Sequence, residues 1–464
     1  MTSDKGRKMI TTINPATGES IAEYQFHSPG EVEQRIAAAD NAQRLWREKT
    51  VAERAALLSR VAEVLRRNQS RYAALITEEM GKPIAEAEAE IEKCATTCEF
   101  YTDAGSRYLD DVSVKSNAAD SRIVFEPLGI VLAIMPWNYP FWQFIRFAAP
   151  ALAAGNGALL KHANNVSGCA LALEAVFREA GAPEGLVSTI MIDASDVAGV
   201  LADERVAAVT FTGSTGVGKV IAAQAGSLMK KQVLELGGSD AFIVLPDADI
   251  ELAAKIAVKA RFANTGQSCI AAKRFIVHES VADRFVALFC AGVEALKVGD
   301  PTHRDTQIGP MARGNLRANL HSQVERSLHE GAVLLTGGRE KEGKGNYYLP
   351  TVLDRVRPQM TAALEETFGP VAAVIRVRDE QEAIAVANAT EFGLGAAVWT
   401  GSPEHGYAVA RHIEAGAVFV NGLVASDARL PFGGIKQSGY GRELGEFGIR
   451  EFTNIKTVWI GPAI

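Results

Sequence analysis

Ile130-Val131-Leu132-Ala133-Ile134-Met135 is an unbroken apolar run of strand length, and the fold of the chain is best understood from it outward. A strand with one solvent-facing side alternates apolar and polar residues. A run without that alternation is typical of a strand whose two faces are both covered, as in the parallel sheets of α/β proteins. The run therefore predicts a central strand of a parallel sheet.

The segments around this run alternate between the patterns of helices and strands. Upstream, the sequence indicates helices over residues 29–105, and Val51 to Arg67 has the single apolar stripe of an amphipathic helix. Downstream, helices are predicted at residues 141–154, 167–180 and 196–203, and strands at residues 157–161, 186–192 and 206–211. This alternation predicts a parallel sheet with helices on both faces.

A second alternating run follows Gly237-Gly238, which indicates a domain junction at these glycines. Strands are predicted at residues 242–245, 275–277 and 371–377, and helices at residues 250–262 and 281–296. Thr453 to Ile460 predicts one last strand. An apolar terminal strand needs an edge to pair with, and another subunit is one source of that edge.

The composition is that of a globular protein, and the length of 464 residues predicts roughly two to three domains. The net charge of −7 argues against a nucleic-acid partner, because such proteins carry basic surfaces. The chain has no charge-free apolar run of about 18 residues, so no membrane span is predicted. Met1 to Lys8 lacks the apolar core of an export signal.

The cysteines do not form a recognisable framework. They are Cys94, Cys98, Cys169, Cys269 and Cys290. An odd, scattered set argues against disulfides and favours a cytoplasmic location. Cys94 and Cys98 share one face of a predicted helix. They lack a second pair of ligands, so we interpret them as packing residues and predict no metal site.

The stretch Phe262-Ala263-Asn264-Thr265-Gly266-Gln267-Ser268-Cys269-Ile270-Ala271 places one cysteine on a small, polar loop between a predicted helix and a predicted strand. Such a loop presents the sulfur to a bound molecule. The thiolate is the reactive form, so the site also needs a base or a positive potential nearby. Taken alone, a free cysteine is more commonly a buried packing residue.

Three other motifs offer the groups that a nucleophilic cysteine needs. In Thr212 to Lys219, a glycine turn and the start of a helix follow a predicted strand. This arrangement suits the binding of a pyrophosphate, but an ordinary tight turn has the same pattern. Glu235 stands at the end of an apolar strand. It is either a general base in a partly apolar cleft or an ordinary glutamate on the surface. Asn138 lies in a loop with two prolines, where it either donates to an oxyanion or serves the turn.

Together these motifs supply a nucleophile, a base, an oxyanion donor and a dinucleotide site. That set matches the oxidation of an aldehyde through a covalent thioester. The thiolate adds to the carbonyl, a hydride leaves to nicotinamide, and an activated water releases the acid.

Six motifs in order along the chain resemble those of the aldehyde dehydrogenase superfamily. They are Pro136–Asn138, Phe211–Ser214, Leu234–Gly238, Phe262–Ala271, Glu366–Pro370 and Pro431–Gly434. The resemblance covers nearly the whole length. It implies an α/β fold with a Rossmann-type cofactor domain, an α/β catalytic domain and a β oligomerisation arm.

The resemblance also implies domain bounds. The cofactor-binding domain would comprise residues 1–111 and 128–237, and the catalytic domain residues 238–437. Residues 112–127 and 438–464 would form the arm, which pairs between subunits in a homodimer or a homotetramer.

The resemblance implies three catalytic residues. Cys269 would be the nucleophile, and Glu235 the base that activates the cysteine or the hydrolytic water. Asn138 and the backbone N–H of Cys269 would form the oxyanion hole. A base at Glu235 favours water over coenzyme A as the acyl acceptor. The presence of all three residues argues against a catalytically silent homologue with a binding role.

The implied cofactor is NAD or NADP. Lys161 would bind its adenosine ribose, Ser214 its pyrophosphate and Glu366 its nicotinamide ribose. Asn164 stands where the family usually has a glutamate that holds the ribose hydroxyls of NAD, so repulsion toward a 2′-phosphate is removed and NADP is tolerated. Ser239 also departs from the signature, which usually has lysine or an apolar residue there. The remaining implied cofactor residues are Ile134, Pro136, Trp137, Gly213, Gly218, Leu236 and Phe368.

The branch that the chain most resembles is the short bacterial succinate-semialdehyde dehydrogenases. Arg146 stands where that branch binds the substrate carboxylate, and an arginine holds a carboxylate bidentately. Ser426 would be its partner. Ala263 stands where some members of the branch have a second arginine, which predicts weaker binding of the substrate carboxylate. The alternatives are that Arg146 is a surface charge, and that the substrate is glutarate semialdehyde or an uncharged aliphatic aldehyde.

Overall fold

The computed structural model describes residues 9–461, so the prediction made for Met1 to Lys8 lies outside the described residues. The strands are β1 (Met9–Ile13), β2 (Ser20–Gln25), β3 (Val112–Ser113), β4 (Asp120–Pro127), β5 (Ile130–Met135), β6 (Gly157–His162), β7 (Val187–Thr189), β8 (Val206–Thr212), β9 (Lys231–Glu235), β10 (Asp240–Val244), β11 (Ala272–His278), β12 (Val333–Thr336), β13 (Thr351–Asp354), β14 (Val371–Val377), β15 (Gly395–Trp399), β16 (Ala417–Val420), β17 (Gly439–Tyr440) and β18 (Thr453–Ile460). The helices are α1 (Pro29–Arg47), α2 (Val51–Arg67), α3 (Gln69–Met80), α4 (Ile84–Leu109), α5 (Trp142–Ala153), α6 (Ser167–Glu179), α7 (Val197–Ala202), α8 (Thr215–Ser227), α9 (Ile250–Phe262), α10 (Glu279–Glu294), α11 (Gly314–His329), α12 (Thr361–Leu364), α13 (Glu380–Asn388), α14 (Pro403–Ala410) and α15 (Gly445–Glu451).

A six-stranded sheet forms around β5, in the order β17-β9-β8-β5-β6-β7. Strand β5 pairs in parallel with β6 on one side and with β8 on the other. Its residues are buried except for Ile134, which is half-buried. The prediction of a central, parallel, doubly covered strand is therefore confirmed. The carboxyl ends of β5, β6 and β8 meet at one edge, which is where open α/β sheets bind ligands.

A seven-stranded sheet has the order β12-β13-β14-β11-β10-β15-β16. The two sheets are joined at Gly237-Gly238, because β9 belongs to the first sheet and β10 to the second. Helix α9 connects β10 to the parallel strand β11, and the loop that carries Cys269 lies just before β11. This crossover brings the cysteine loop to the edge of the first sheet.

Strands β3, β4 and β18 form a separate three-stranded sheet. Strand β18 pairs with β4 of the same chain, from Thr453 opposite Pro127 to Ile460 opposite Asp120. One edge of the last strand thus pairs with its own chain, and its other edge has no strand partner among the described residues. Strand β17 pairs with β9, and α15 packs against α4 and α5, so residues 439–451 lie against the six-stranded sheet and its helices.

One buried carboxylate, that of Glu90, connects helices α4 and α5. The Glu90 side chain on α4 accepts backbone N–H groups of Phe141 and Trp142, over 2.9 and 3.0 Å, at the start of α5. It also forms an ion pair with Lys82, and both side chains are almost fully buried. Within the described part of the chain, none of the helices is long and apolar enough to cross a membrane.

The buried Lys82–Glu90 pair leads to a stability prediction. Lys82→Met leaves the Glu90 carboxylate buried without its cation, which should lower the free energy of unfolding by about 3–5 kcal/mol. The matched control is Lys49→Met, because Lys49 pairs with Glu53 on the surface, with about half of each side chain exposed. That change should cost less than about 1 kcal/mol. Denaturant unfolding followed by circular dichroism measures both, and equal losses would contradict the prediction.

Candidate active site

The two sheets enclose a cleft of about 970 Å³, called here the main cleft. The carboxyl ends of β5, β6 and β8 form one wall, and the Cys269 loop contributes to the other. The residues assigned from the sequence that line it are Ile134, Pro136, Trp137, Asn138, Lys161, Asn164, Gly213, Ser214, Leu236, Cys269, Glu366 and Phe368. Glu235, Gly218, Arg146 and Ser426 are not among the lining residues.

The start of α8 forms one end of the main cleft. Ser214 is the N-cap of this 13-residue helix, and its side chain makes no hydrogen bond to the helix. The first backbone N–H groups of α8 therefore remain available for an anion, and the helix dipole favours one. Gly218 lies beneath the cleft wall, since a Cβ there would be 2.5 Å from a Leu236 methyl group. These features fit a pyrophosphate.

Lys161 and Asn164 lie next to this helix end. The Lys161 ammonium donates to Asn164 Oδ1 and to the His162 carbonyl, each over 3.0 Å. Burial lowers the pKa of Lys161. No carboxylate forms an ion pair with this ammonium among residues 9–461, although the negative charge of Asp193 acts on it. Its charge can therefore attract an anionic group.

Glu366 and two aromatic rings form the other end of the main cleft. Glu366 Oε1 accepts the N–H of Gly238 over 3.0 Å. The rings of Trp137 and Phe368 meet edge to face, with centroids 5.8 Å apart. A Cβ on Gly237 would lie 2.7 Å from Glu366 Oε2, and one on Gly238 would lie 2.6 Å from the Cys269 carbonyl oxygen. The two glycines therefore permit the close approach of three segments.

The backbone before Cys269 is held in an unusual conformation. Asn264 and Thr265 both adopt left-handed backbone angles, with φ of 55° and 56°. Such angles in residues other than glycine cost about 1–3 kcal/mol each and are stable only when their surroundings impose them. Asn264 Nδ2 donates to the carbonyls of Asn138 and Gln267, over 2.9 and 3.0 Å. Asn138 Nδ2 donates to the same Gln267 carbonyl over 3.1 Å, so the loop and the Asn138 turn are locked together.

Lys273 fixes the segment after the nucleophile. This lysine has no solvent exposure, and its ammonium donates to the carbonyls of Ser268 and Cys269 over 3.0 and 2.8 Å. It also donates to the Ala271 carbonyl over 3.3 Å. Its nitrogen lies 3.7 Å from Glu366 Oε1. One buried charge thus connects the cysteine loop to the glutamate at the far end of the cleft.

Burial keeps the proton on Cys269. The cysteine is half-buried, and desolvation raises the pKa of its thiol to about 12, although the positive charges of Arg146 and Lys273 oppose this rise. At neutral pH the side chain is a thiol, so removal of its proton requires a base.

Glu235 is a base whose charge acts on the Cys269 thiol, and it is buried without lining the main cleft. It is 2% exposed, and neither carboxylate oxygen has a hydrogen-bond partner among the described residues. Desolvation, followed by the neighbouring Glu443 carboxyl, raises the pKa of Glu235 to about 8. The surface interpretation of Glu235 is therefore wrong. A carboxyl group with this pKa can both accept and return a proton near neutral pH.

Arg146 is also buried, so the interpretation of this residue as a surface charge is wrong. It lies on α5, is 2% exposed, forms an ion pair with Glu443 and stacks over the Phe432 ring at 4.6 Å. Its Nη2 has no hydrogen-bond partner among residues 9–461. Ser426 does not contact Arg146 by a hydrogen bond; its Oγ accepts from Lys93 Nζ over 2.6 Å.

The sequence reasoning missed Lys273, Glu443 and Lys93. For Lys273 a signal existed, because it stands with Arg274 just before the apolar part of a buried strand, and a charge in a buried strand needs partners. Glu443 and Lys93 carry no such signal, since glutamate and lysine are exposed by default. Across the described residues, no group of three or more His, Cys, Asp or Glu side chains is arranged to hold a metal ion.

Comparison with known proteins identifies the class to which this site belongs. The sequence profile of the Aldehyde dehydrogenase family matches residues 1–458. The chain belongs to the aldehyde dehydrogenase family, as its motifs predict.

Several similar proteins have more specific names. The chain is 50% identical over 451 residues to a probable succinate-semialdehyde dehydrogenase (NADP+) of Synechocystis sp., covering 97% of this chain and 99% of that protein. It is 49% identical over 448 residues to a succinate semialdehyde dehydrogenase (NAD(P)+) of Escherichia coli, covering 97% of each. The crystal structure of a succinic semialdehyde dehydrogenase from Streptococcus pyogenes with NADP+ superimposes with a TM-score of 0.95 at 36% identity, covering 98% of this chain and 100% of that one.

The raised pKa of Glu235 leads to a pH prediction. A general base acts when it is deprotonated, so kcat/KM for an aldehyde without a carboxylate should rise with pH and level off above about pH 8. Glu235→Gln should remove this rise and lower kcat/KM by about 10²- to 10⁴-fold.

The matched control is Glu79→Gln. Glu79 is a second buried carboxyl group, whose pKa burial raises to about 7, but it binds backbone N–H groups at the start of α6. Its variant should keep the rise in kcat/KM. A flat pH profile in the wild type would contradict the assignment of Glu235 as the base.

Proposed function

We propose that this protein oxidises succinate semialdehyde to succinate with NADP+ or NAD+, through a thioester on Cys269. The observation that carries the choice of substrate is the buried Arg146, whose positive charge acts on the Cys269 thiol. A buried cation beside the reacting sulfur favours an aldehyde that brings its own carboxylate. The names of the similar proteins support the same choice.

The residues of the main cleft would hold the cofactor. Ser214 and the first N–H groups of α8 would hold its pyrophosphate, Lys161 and Asn164 its adenosine ribose, and Glu366 its nicotinamide ribose. When bound, the nicotinamide ring would supply a hydride acceptor. Trp137 and Phe368, whose rings meet edge to face, form apolar surface at that end of the cleft.

The chemistry on the protein begins with the proton of Cys269. Glu235 takes this proton, the sulfur adds to the aldehyde carbon, and the carbonyl becomes an oxyanion. The second N–H of Asn138 Nδ2 and the backbone N–H of Cys269 donate to that oxyanion. After oxidation leaves a thioester, Glu235 gives up the cysteine proton to solvent and then removes a proton from water, which attacks the thioester carbon. Cleavage of the carbon–sulfur bond releases the acid, and Glu235 returns its proton to the sulfur to restore the thiol.

Arg146 offers donors to a substrate carboxylate even though it is paired. A guanidinium carries five N–H donors, and Glu443 faces the Nε side of this one. Nη2 has no protein partner among the described residues. The free N–H groups can therefore bind one carboxylate while Glu443 fixes the plane of the guanidinium.

The absence of a carboxylate at position 164 favours NADP+. Asn164 accepts from Lys161 and adds no negative charge beside it. The Lys161 ammonium is therefore available for a 2′-phosphate, whereas a glutamate would neutralise it and repel the phosphate.

We further propose a cytoplasmic homo-oligomer. The outer strand of the three-stranded sheet, β18, presents Ile455, Trp459 and Ile460, each more than half exposed. Strands with exposed apolar side chains and a free edge are commonly covered by another chain. A dimer or a tetramer would cover them.

Substrate choice is tested with Arg146→Met. The wild type should prefer succinate semialdehyde over butyraldehyde in kcat/KM, and the variant should lose about 2–4 kcal/mol of that preference, because only one of these substrates has a carboxylate. Arg146→Lys is the matched control, which keeps the charge and should retain part of the preference. Equal kcat/KM for the two aldehydes in the wild type would overturn the proposed substrate.

Cofactor choice is tested with Asn164→Glu. The new carboxylate should lower kcat/KM for NADP+ by about tenfold or more, because it repels the 2′-phosphate and pairs with Lys161. The kcat/KM of the variant for NAD+ should be equal to or higher than that of the wild type. Asn164→Gln, which adds length without charge, is the control. A variant that keeps the wild-type ratio of the two cofactors would contradict the role of position 164.

A further inference from the structure

Lys93 is a second cation close to Arg146, and it projects from a different helix. It lies on α4, where its ammonium donates to Ser426 Oγ over 2.6 Å and stands 4.2 Å from the centre of the Trp142 ring. Trp142 is the first residue of α5, the helix that carries Arg146. Burial, and then the positive charge of Arg146, lower the pKa of Lys93 to about 8.

No carboxylate in the described part of the chain is paired with Lys93. Glu90, one turn away on α4, is engaged with Lys82 and with two backbone N–H groups. Asp427, on the loop that carries Ser426, is held by the guanidinium and the backbone N–H of Arg429. Cys94, the neighbouring titratable group, is a buried thiol whose pKa burial raises. Each acid that faces Lys93 therefore has another partner.

An arrangement of two neighbouring, mostly buried cations without a carboxylate for one of them is unfavourable in the empty protein. A ligand with a carboxylate would remove this cost. The hydroxyl of Ser426 and the N–H groups of Arg146 and Lys93 are all donors that a carboxylate accepts. Lys93 is held on the Trp142 ring and on Ser426, so its position is set before the ligand arrives.

We propose that Lys93 is a specificity-determining residue, which together with Arg146 and Ser426 binds the carboxylate of the aldehyde substrate. This inference rests on the proposed function, because it concerns the same substrate class. Binding of the substrate carboxylate would then depend on two positive charges, one from α4 and one from α5. The charge of Lys93 would compensate for the uncharged Ala263 in the cysteine loop.

The proposal predicts a pH effect that separates Lys93 from Arg146. An arginine stays charged at all relevant pH values, whereas Lys93 loses its charge above about pH 8. The ratio of kcat/KM for succinate semialdehyde to that for butyraldehyde should therefore fall as the pH rises through 8. Ionisation of Glu235 affects both substrates and cancels in this ratio.

The test compares this ratio in the wild type, Lys93→Met, Lys93→Arg and Lys255→Met. Lys255 is exposed on α9 and controls for the loss of one surface charge. Lys93→Met should lower the ratio about 10- to 100-fold, which corresponds to the loss of one charged hydrogen bond. Lys93→Arg should keep most of the ratio and abolish its fall above pH 8. Lys255→Met should match the wild type.

The possible failures are distinguishable. A wild-type ratio near one would overturn the proposed substrate. A high wild-type ratio that Lys93→Met leaves unchanged would overturn only the role of Lys93. If Lys93→Met does not fold, as judged by circular dichroism, the pH dependence of the ratio in the wild type and in Lys93→Arg decides. Identical profiles of these two proteins would contradict the proposal.

Discussion

One buried ammonium, that of Lys273, determines the geometry of the site. It reaches the carbonyls on either side of the nucleophile and lies beside Glu366. These contacts fix the backbone on both sides of Cys269, which lines the main cleft. The left-handed residues that precede the cysteine are stable only in this setting. The two glycines at the sheet junction allow it, since any side chain there would collide with Cys269 or Glu366.

Burial controls the protonation of both the nucleophile and the base. Desolvation raises the pKa of both the nucleophile and the base, to about 12 and about 8. The resting site therefore keeps its proton on sulfur and holds a base that changes charge near neutral pH. The positive charges of Arg146 and Lys273 limit the rise for the thiol. Arg146 thus has two connections, one to the sulfur through its field and one to Glu443 through an ion pair.

The fold could be predicted largely from periodicity, because buried parallel strands such as Ile130–Met135 leave an unambiguous apolar run. Asn138 and Ser214 follow two of these strands, β5 and β8, and both line the main cleft. Contacts between distant segments could not be predicted in this way. Nothing in the sequence pairs Glu443 with Arg146, or Lys93 with Ser426, which are hundreds of residues apart in the chain. The pairing of β18 with β4 was likewise open, because an edge strand does not specify which chain supplies its partner.

The proposed mechanism requires a covalent intermediate at Cys269. The most direct measurement is mass spectrometry of the wild-type protein mixed with succinate semialdehyde and NADP+ and quenched with acid during the first turnover. The peptide that contains Cys269 should carry the added mass of one succinyl group, and the other cysteine peptides should be unmodified. Formation of NADPH in the same interval with no acyl group on Cys269 would contradict the account.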